Sequence, residues 1–171
     1  MQTKSRGELH LQALINQIIK DIIRTQIFWP SAMIVACMVF AIALVCKVKI
    51  KNCMILTILA FYLTVAGCRV FIRESGNTSL NLVLFSTTRV TWHYYIENIL
   101  LFIPLGILLP GLITQLRWEI LIVGLVMSLG IESIQYISGV GKAELDDVMA
   151  NILGTAFGYG LMRLIYNIGK Q

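Results

Sequence analysis

The chain contains apolar stretches too long and too free of charge to be covered by one another, and this limits its fold more than any other feature. Segments 28–46, 53–72, 96–113, 119–137 and 148–168 each approach the length a helix needs to cross the hydrocarbon of a bilayer. Inside hydrocarbon the backbone must satisfy its own hydrogen bonds, and within one isolated segment only a helix does so. The expectation is an all-α, polytopic membrane helix bundle with about five transmembrane helices. Composition agrees: of 171 residues 57% are hydrophobic and 13% charged, and the mean hydropathy is +0.79. A soluble domain carries about a quarter charged residues, and so few charges cannot clothe a water-facing surface. Residues 28–171 therefore read as one transmembrane bundle, preceded by a distinct segment, 1–27.

That first segment has a different pattern. Leu11, Leu14, Ile15, Ile18, Ile19, Ile22, Ile23 and Ile27 recur at helical spacing along one stripe, while Lys20, Asp21 and Arg24 interrupt it. An amphipathic N-terminal helix follows, either lying in the headgroup layer or packed on the bundle. It is not expected to be a secretory signal, because the first long apolar run begins near Phe28 and is too long for a signal core. Lys47, Lys49 and Lys51 crowd the very short first connection, and residues 73–95 form the longest one. The apolar stretch 80–85 within it is too short to cross, and reads as dipping into the membrane or lying on it. Pro104, Gly106 and Pro110 predict a kink or a break in the third span.

The net charge of +5 comes from Lys and Arg placed at the ends of apolar runs. Such placement sets topology and contacts headgroups, so the bilayer is the expected partner and nucleic acid is not. Cys37, Cys46, Cys53 and Cys68 have no metal-ligand spacing, and neither a disulfide nor a metal is expected of them. There is no DxD or DDxxD pattern, and His93 has no nucleophile elbow beside it. No cofactor and no metal site are expected, and an enzyme is the less favoured class.

Parity of the spans points to one functional face. Span two ends, span three begins, span four ends and span five begins on the same side. That side collects Arg69, Arg73, Glu97, Asn98, Glu132, Gln135, Asp146, Asp147 and Asn151. Ionisable residues within spans are costly and are usually paired or functional. In span four Gly124, Ser128, Glu132 and Gln135 share a stripe, and in span five Asp147, Asn151, Gly154 and Gly158 do. Small residues allow close helix approach and polar ones bond across it, so the two stripes are expected to face each other, Gly154 and Gly158 packing on span four. Two readings stay open: pairing of these acids with Arg69 or Arg73 as structural glue, and a ligand or proton site. Lysine density favours the first loop as cytoplasmic, whereas the basic N-terminal helix points the other way.

At these residues a family pattern is met. Glu97-Asn98-Ile-Leu-Leu-Phe-Ile-Pro104-Leu-Gly106 resembles the NxxLFxPxG signature of the VanZ-like family, and Glu132-Ser-Ile-Gln135 resembles its ExxQ. The run from Lys142 through Asp146, Asp147, Asn151, Gly154 and Gly158 to Tyr159 is similar to its RxxDxxDVxxNxxGxxxGY element, with Lys142 where arginine is usual. Asn81-Leu-Val-Leu84-Phe85 resembles its NLxPF, with Leu84 in place of proline, and adds Asn81 to the candidate cluster. The resemblance covers about 53–168, leaving the first span and the amphipathic helix as additions. It implies a multi-pass protein of the bacterial plasma membrane, with the loop of Lys47 to Lys51 and the C-terminus cytoplasmic and Asp146-Asp147 outside. The family's namesake confers low-level teicoplanin resistance. The expected function is binding of an amphiphile or cell-wall lipid precursor at the polar cluster, affecting envelope assembly or glycopeptide susceptibility. The alternative is a membrane enzyme or small transporter using Glu97, Glu132 and Asp147 for proton or cation handling. Lys142, with Arg69 and Arg73, is a candidate ion-pair partner, and the oligomeric state is left open.

Overall fold

The computed structural model describes residues 6–71, 79–84, 92–113, 118–139 and 142–169. Helix α1 (Arg6–Arg24) leads through a 3-10 turn (Thr25–Phe28) into α2 (Trp29–Val45). Helices α3 (Ile50–Phe71), α4 (Trp92–Leu112), α5 (Glu119–Ser138) and α6 (Leu145–Ile168) complete the bundle. Among the described residues five helical segments are long and apolar enough to cross a membrane, the first of them the continuous run Leu11–Val45. The surface reads inside out relative to a soluble protein. Met33, Ile58, Ile122, Val126, Leu153, Phe157 and Leu164 are exposed on the spans, where lipid rather than water surrounds them.

Local chemistry accounts for the element ends. Pro30 sits in the first turn of α2, where a missing N–H costs no hydrogen bond. The α2–α3 turn is a Schellman closure: Val48 N–H donates to the Ala43 carbonyl at 2.9 Å and Lys47 N–H to that of Leu44 at 3.0 Å. Lys47 takes the left-handed conformation (φ 56°) where glycine is usual. Gly139, at φ 73°, ends α5 in the same way.

The prolines do not break the third span. Helix α4 continues through Pro104 and Pro110 as one element. Pro104 deprives the Leu100 carbonyl of its helical donor. In the adjoining turn the Tyr62 hydroxyl of α3 donates to the Leu101 carbonyl, the kind of neighbour's bond that makes proline tolerable in a membrane helix. Phe102 and Leu105 pack with Leu59 as the apolar centre of α3 and α4. Ala32, Ala36 and Cys53 are buried along α2 and α3, small side chains letting these helices lie close.

The stretch expected to dip into the membrane or lie on it pairs with another part of the chain where it is described. Leu80–Asn81 (β1) forms a two-residue parallel ladder with Ala143–Glu144 (β2), Leu80 opposite Ala143 and Asn81 opposite Glu144. Ala143 N–H also donates to the Ser79 carbonyl at 3.1 Å. This ladder ties the long connection to the turn between α5 and α6. Phe85 lies outside the described residues.

Candidate functional site

Two close helix contacts position the polar residues. The most extensive helix contact is between α4 and α6. A methyl group at Gly154 would run into the Ile99 carbonyl, one at Gly158 into the Ile103 carbonyl, and one at Gly106 into the Thr155 carbonyl. The pairing advances in the same sense along both chains, so α4 and α6 run parallel with their backbones touching. Gly154 and Gly158 therefore pack on the third span and not on the fourth, which corrects the expectation drawn from their stripe. Gly106, expected to mark a kink, serves close approach.

The second contact is antiparallel, between α5 and α6. Asn151 Nδ2 donates to Ser128 Oγ at 2.8 Å, and both residues are buried. One turn deeper, a methyl at Gly124 would fall 2.6 Å from Thr155 Oγ1, and that hydroxyl donates to the Asn151 carbonyl at 2.9 Å. One turn toward the membrane surface, Glu132 Oε2 accepts the Glu144 backbone N–H at 3.1 Å. Glu144 is the N-cap of α6 and has no side-chain cap of its own, so the carboxylate of α5 lies where the α6 dipole is positive.

These registers stack the cluster. Glu132 stands level with Asp147, Gln135 with Glu144, and Ser128 with Asn151, while the α4 register brings Glu97 about level with Asn151. At a rise of 1.5 Å per residue, Asn151 lies about 9 Å below the start of α6. Glu97, Glu132, Gln135, Asp146, Asp147 and Asn151 are all buried, each at most 8% exposed. Asn98 and Asn81 are half-buried. Asn81 Oδ1 accepts the Val83 N–H at 3.1 Å, an Asx turn that shapes the ladder's exit. Lys142 is exposed at the cluster's outer rim. The Arg69 side chain and the whole of Arg73 lie outside the described residues.

The site is rich in acceptors. Among the described residues, Glu97 Oε1, Gln135 Oε1 and Asn151 Oδ1 are buried and accept no hydrogen bond, while Glu97 and Gln135 are engaged elsewhere. Reversing the Asn151 amide would give Oδ1 the Ser128 hydroxyl and leave Nδ2 unmatched instead, so one buried polar atom of Asn151 lacks a partner in either orientation. A buried polar atom left unmatched costs about 1–3 kcal/mol. No three described His, Cys, Asp or Glu side chains converge where they could hold one metal ion. What the arrangement offers is a buried polar cluster with unmatched acceptors at one end of an otherwise apolar bundle.

The sequence reading missed Thr155, which is fully buried. Its signal was present, one turn beyond Asn151 on the same face. It also missed the Glu144 amide, since a backbone donor leaves no mark in a sequence.

Comparison with known proteins bears on residues in this same region. The family described as VanZ/LLP1 matches residues 53–166, from the start of α3 nearly to the end of α6. Protein VanZ of Enterococcus faecium is 36% identical over 92 residues, covering 48% of this chain and 53% of that protein. The chain thus aligns with about half the length of this curated relative. No solved structure matches the chain.

Proposed function

This chain belongs to the VanZ/LLP1 family, and from that footing we propose that it is a non-enzymatic plasma-membrane protein that binds the headgroup of an amphiphile or cell-wall lipid precursor at the polar cluster of α4, α5 and α6, and thereby alters envelope assembly or susceptibility to teicoplanin-type glycopeptides. The observation that carries the reading is the buried acceptor Asn151 Oδ1 beneath a stack of acids at a membrane face. Hydroxyl, amide or ammonium groups of a headgroup would supply donors to the cluster's unmatched acceptors, and an acyl or prenyl tail would lie along the exposed aliphatic side chains of the spans. The polar face is outward in this reading, with the lysine-rich α2–α3 turn in the cytoplasm, as the density of Lys47, Lys49 and Lys51 supports.

The test is to extract the wild-type protein, Glu132→Gln and Asn151→Leu in mild detergent and weigh them by native mass spectrometry. A lipid-sized adduct on the wild type, lost from both variants at a temperature where each is still folded, is the expected result. The intact gene should also change teicoplanin susceptibility in a strain lacking it, and the two variants should not. Absence of any adduct, together with unchanged susceptibility, would overturn the proposal.

A second reading is favoured by the burial of three carboxylates on facing helices, Glu97, Glu132 and Asp147. Such a stack suits proton or cation handling. Proteoliposomes loaded with a pH-sensitive dye separate the two: an acidification abolished by Glu132→Gln belongs only to this reading.

A further inference from the structure

The 35-residue run Leu11–Val45 is too long to stand upright in a bilayer. At 1.5 Å per residue it would measure roughly 52 Å, against a hydrocarbon core of about 30 Å. Helix α2 with the 3-10 turn already accounts for one crossing, so α1 has to be accommodated elsewhere.

The side chains of α1 divide into three faces. Stepping about 100° per residue, Leu14, Gln17 and Ile18 fall on one edge, and these are the half-buried positions. Helix α1 also meets α4. The adjoining face presents Leu11, Ile15, Ile19, Ile22 and Ile23, each between 45% and 58% exposed. Opposite them stand Lys20 and Arg24, both exposed. One edge is thus half-buried, one face is aliphatic and open, and the last is charged and open. A helix projecting into water would expose five large aliphatic side chains at a continuing hydrophobic cost. A helix sunk in hydrocarbon would carry the exposed charges of Lys20 and Arg24 in with it, which is costly.

We infer that α1 is a membrane-surface helix, lying in the headgroup–acyl boundary of the same bilayer that the bundle spans, on the face where α4 and α6 begin. The occupant of its aliphatic face is lipid, because that face continues through exposed Ile27 into the lipid-facing residues Met33 and Ile34 of α2. Lys20 and Arg24 reach the phosphate level from the water side. Helix α1 thus lies at the membrane face that carries the polar cluster, in contact with α4. This inference stands on the faces of α1 and holds whether or not the cluster binds an amphiphile.

The experiment is site-directed spin labelling of the full chain, freed of its native cysteines and reconstituted in phosphatidylcholine–phosphatidylglycerol vesicles. Single labels replace Ile15, Ile19, Lys20 and Arg24, and accessibility to oxygen is compared with accessibility to a water-soluble nickel chelate. Labels at Ile15 and Ile19 should favour oxygen by several-fold, and labels at Lys20 and Arg24 the chelate. Equal chelate access at all four positions would place α1 in water and overturn the inference. So would an Ile19 label shielded from both reagents, with spin–spin broadening that disappears on dilution with unlabelled protein, since a second copy would then cover the face. Ile15→Ser at unchanged circular dichroism should lower the oxygen preference at position 19, which separates lipid insertion from loss of the helix.

Discussion

Replacing Gly154 with alanine adds one methyl group at one of the tightest contacts between α4 and α6. That methyl has no flexible neighbour to displace: it meets the carbonyl and Cα of Ile99, which are backbone atoms of α4. Accommodating it means separating α4 from α6 by on the order of 1 Å, out of the close end of the 8–10 Å range of helix spacings. Overpacking of this kind costs about 1–3 kcal/mol. A built-in comparison isolates the effect, because a methyl at Gly130 or Gly160 would meet nothing within 4 Å. At those two positions alanine should be neutral, or stabilising by up to about 1 kcal/mol through helix propensity. The expected gap between the pairs is thus about 1–4 kcal/mol, which at 1.4 kcal/mol per decade shifts the folded-to-unfolded ratio by roughly 5- to 700-fold. For a chain of this length that corresponds to a melting-temperature difference of about 2–16 °C. Thermal unfolding of Gly154→Ala, Gly158→Ala, Gly130→Ala and Gly160→Ala in one detergent, followed by tryptophan fluorescence, reads it directly. If all four melted together, backbone contact between α4 and α6 would be refuted.

Three further outcomes follow from the same geometry. Ser128→Ala and Asn151→Leu should each destabilise the bundle, and their double-mutant cycle should show a coupling of about 0.5–1.7 kcal/mol, as expected for a hydrogen bond between membrane helices; strict additivity would remove the bond. Lys47→Gly should raise stability by up to about 1 kcal/mol, since the left-handed turn position disfavours any side chain, and a fall in melting temperature would contradict the Schellman closure. In a cysteine-free background, a thiol at Lys142 should react with an impermeant maleimide on intact cells and one at Lys49 only after permeabilisation, and the reverse pattern would invert the proposed topology.

The sequence by itself determined the spans, their parity and the collection of Glu97, Glu132, Gln135, Asp146, Asp147 and Asn151 at one membrane face. The physical reason is that a membrane helix satisfies its backbone within its own segment, so length and hydropathy alone locate it, and counting crossings then assigns each end to a side. Burial of the acids followed, because a charge on a span has little choice but to face protein. Tertiary structure alone decided which neighbour each face of α6 meets. At about 100° per residue, Asn151 and Thr155 point roughly 60° away from Gly154 and Gly158, a rotation small enough to look like one stripe in the sequence. In the folded bundle α4 and α5 lie side by side against α6, and that rotation is enough to hand the glycines to the backbone of α4 and the hydrogen-bonding side chains to α5. Nor could spacing reveal the β1–β2 ladder or the Glu144 amide that Glu132 captures, because both are made by main-chain groups, which every residue but proline carries alike.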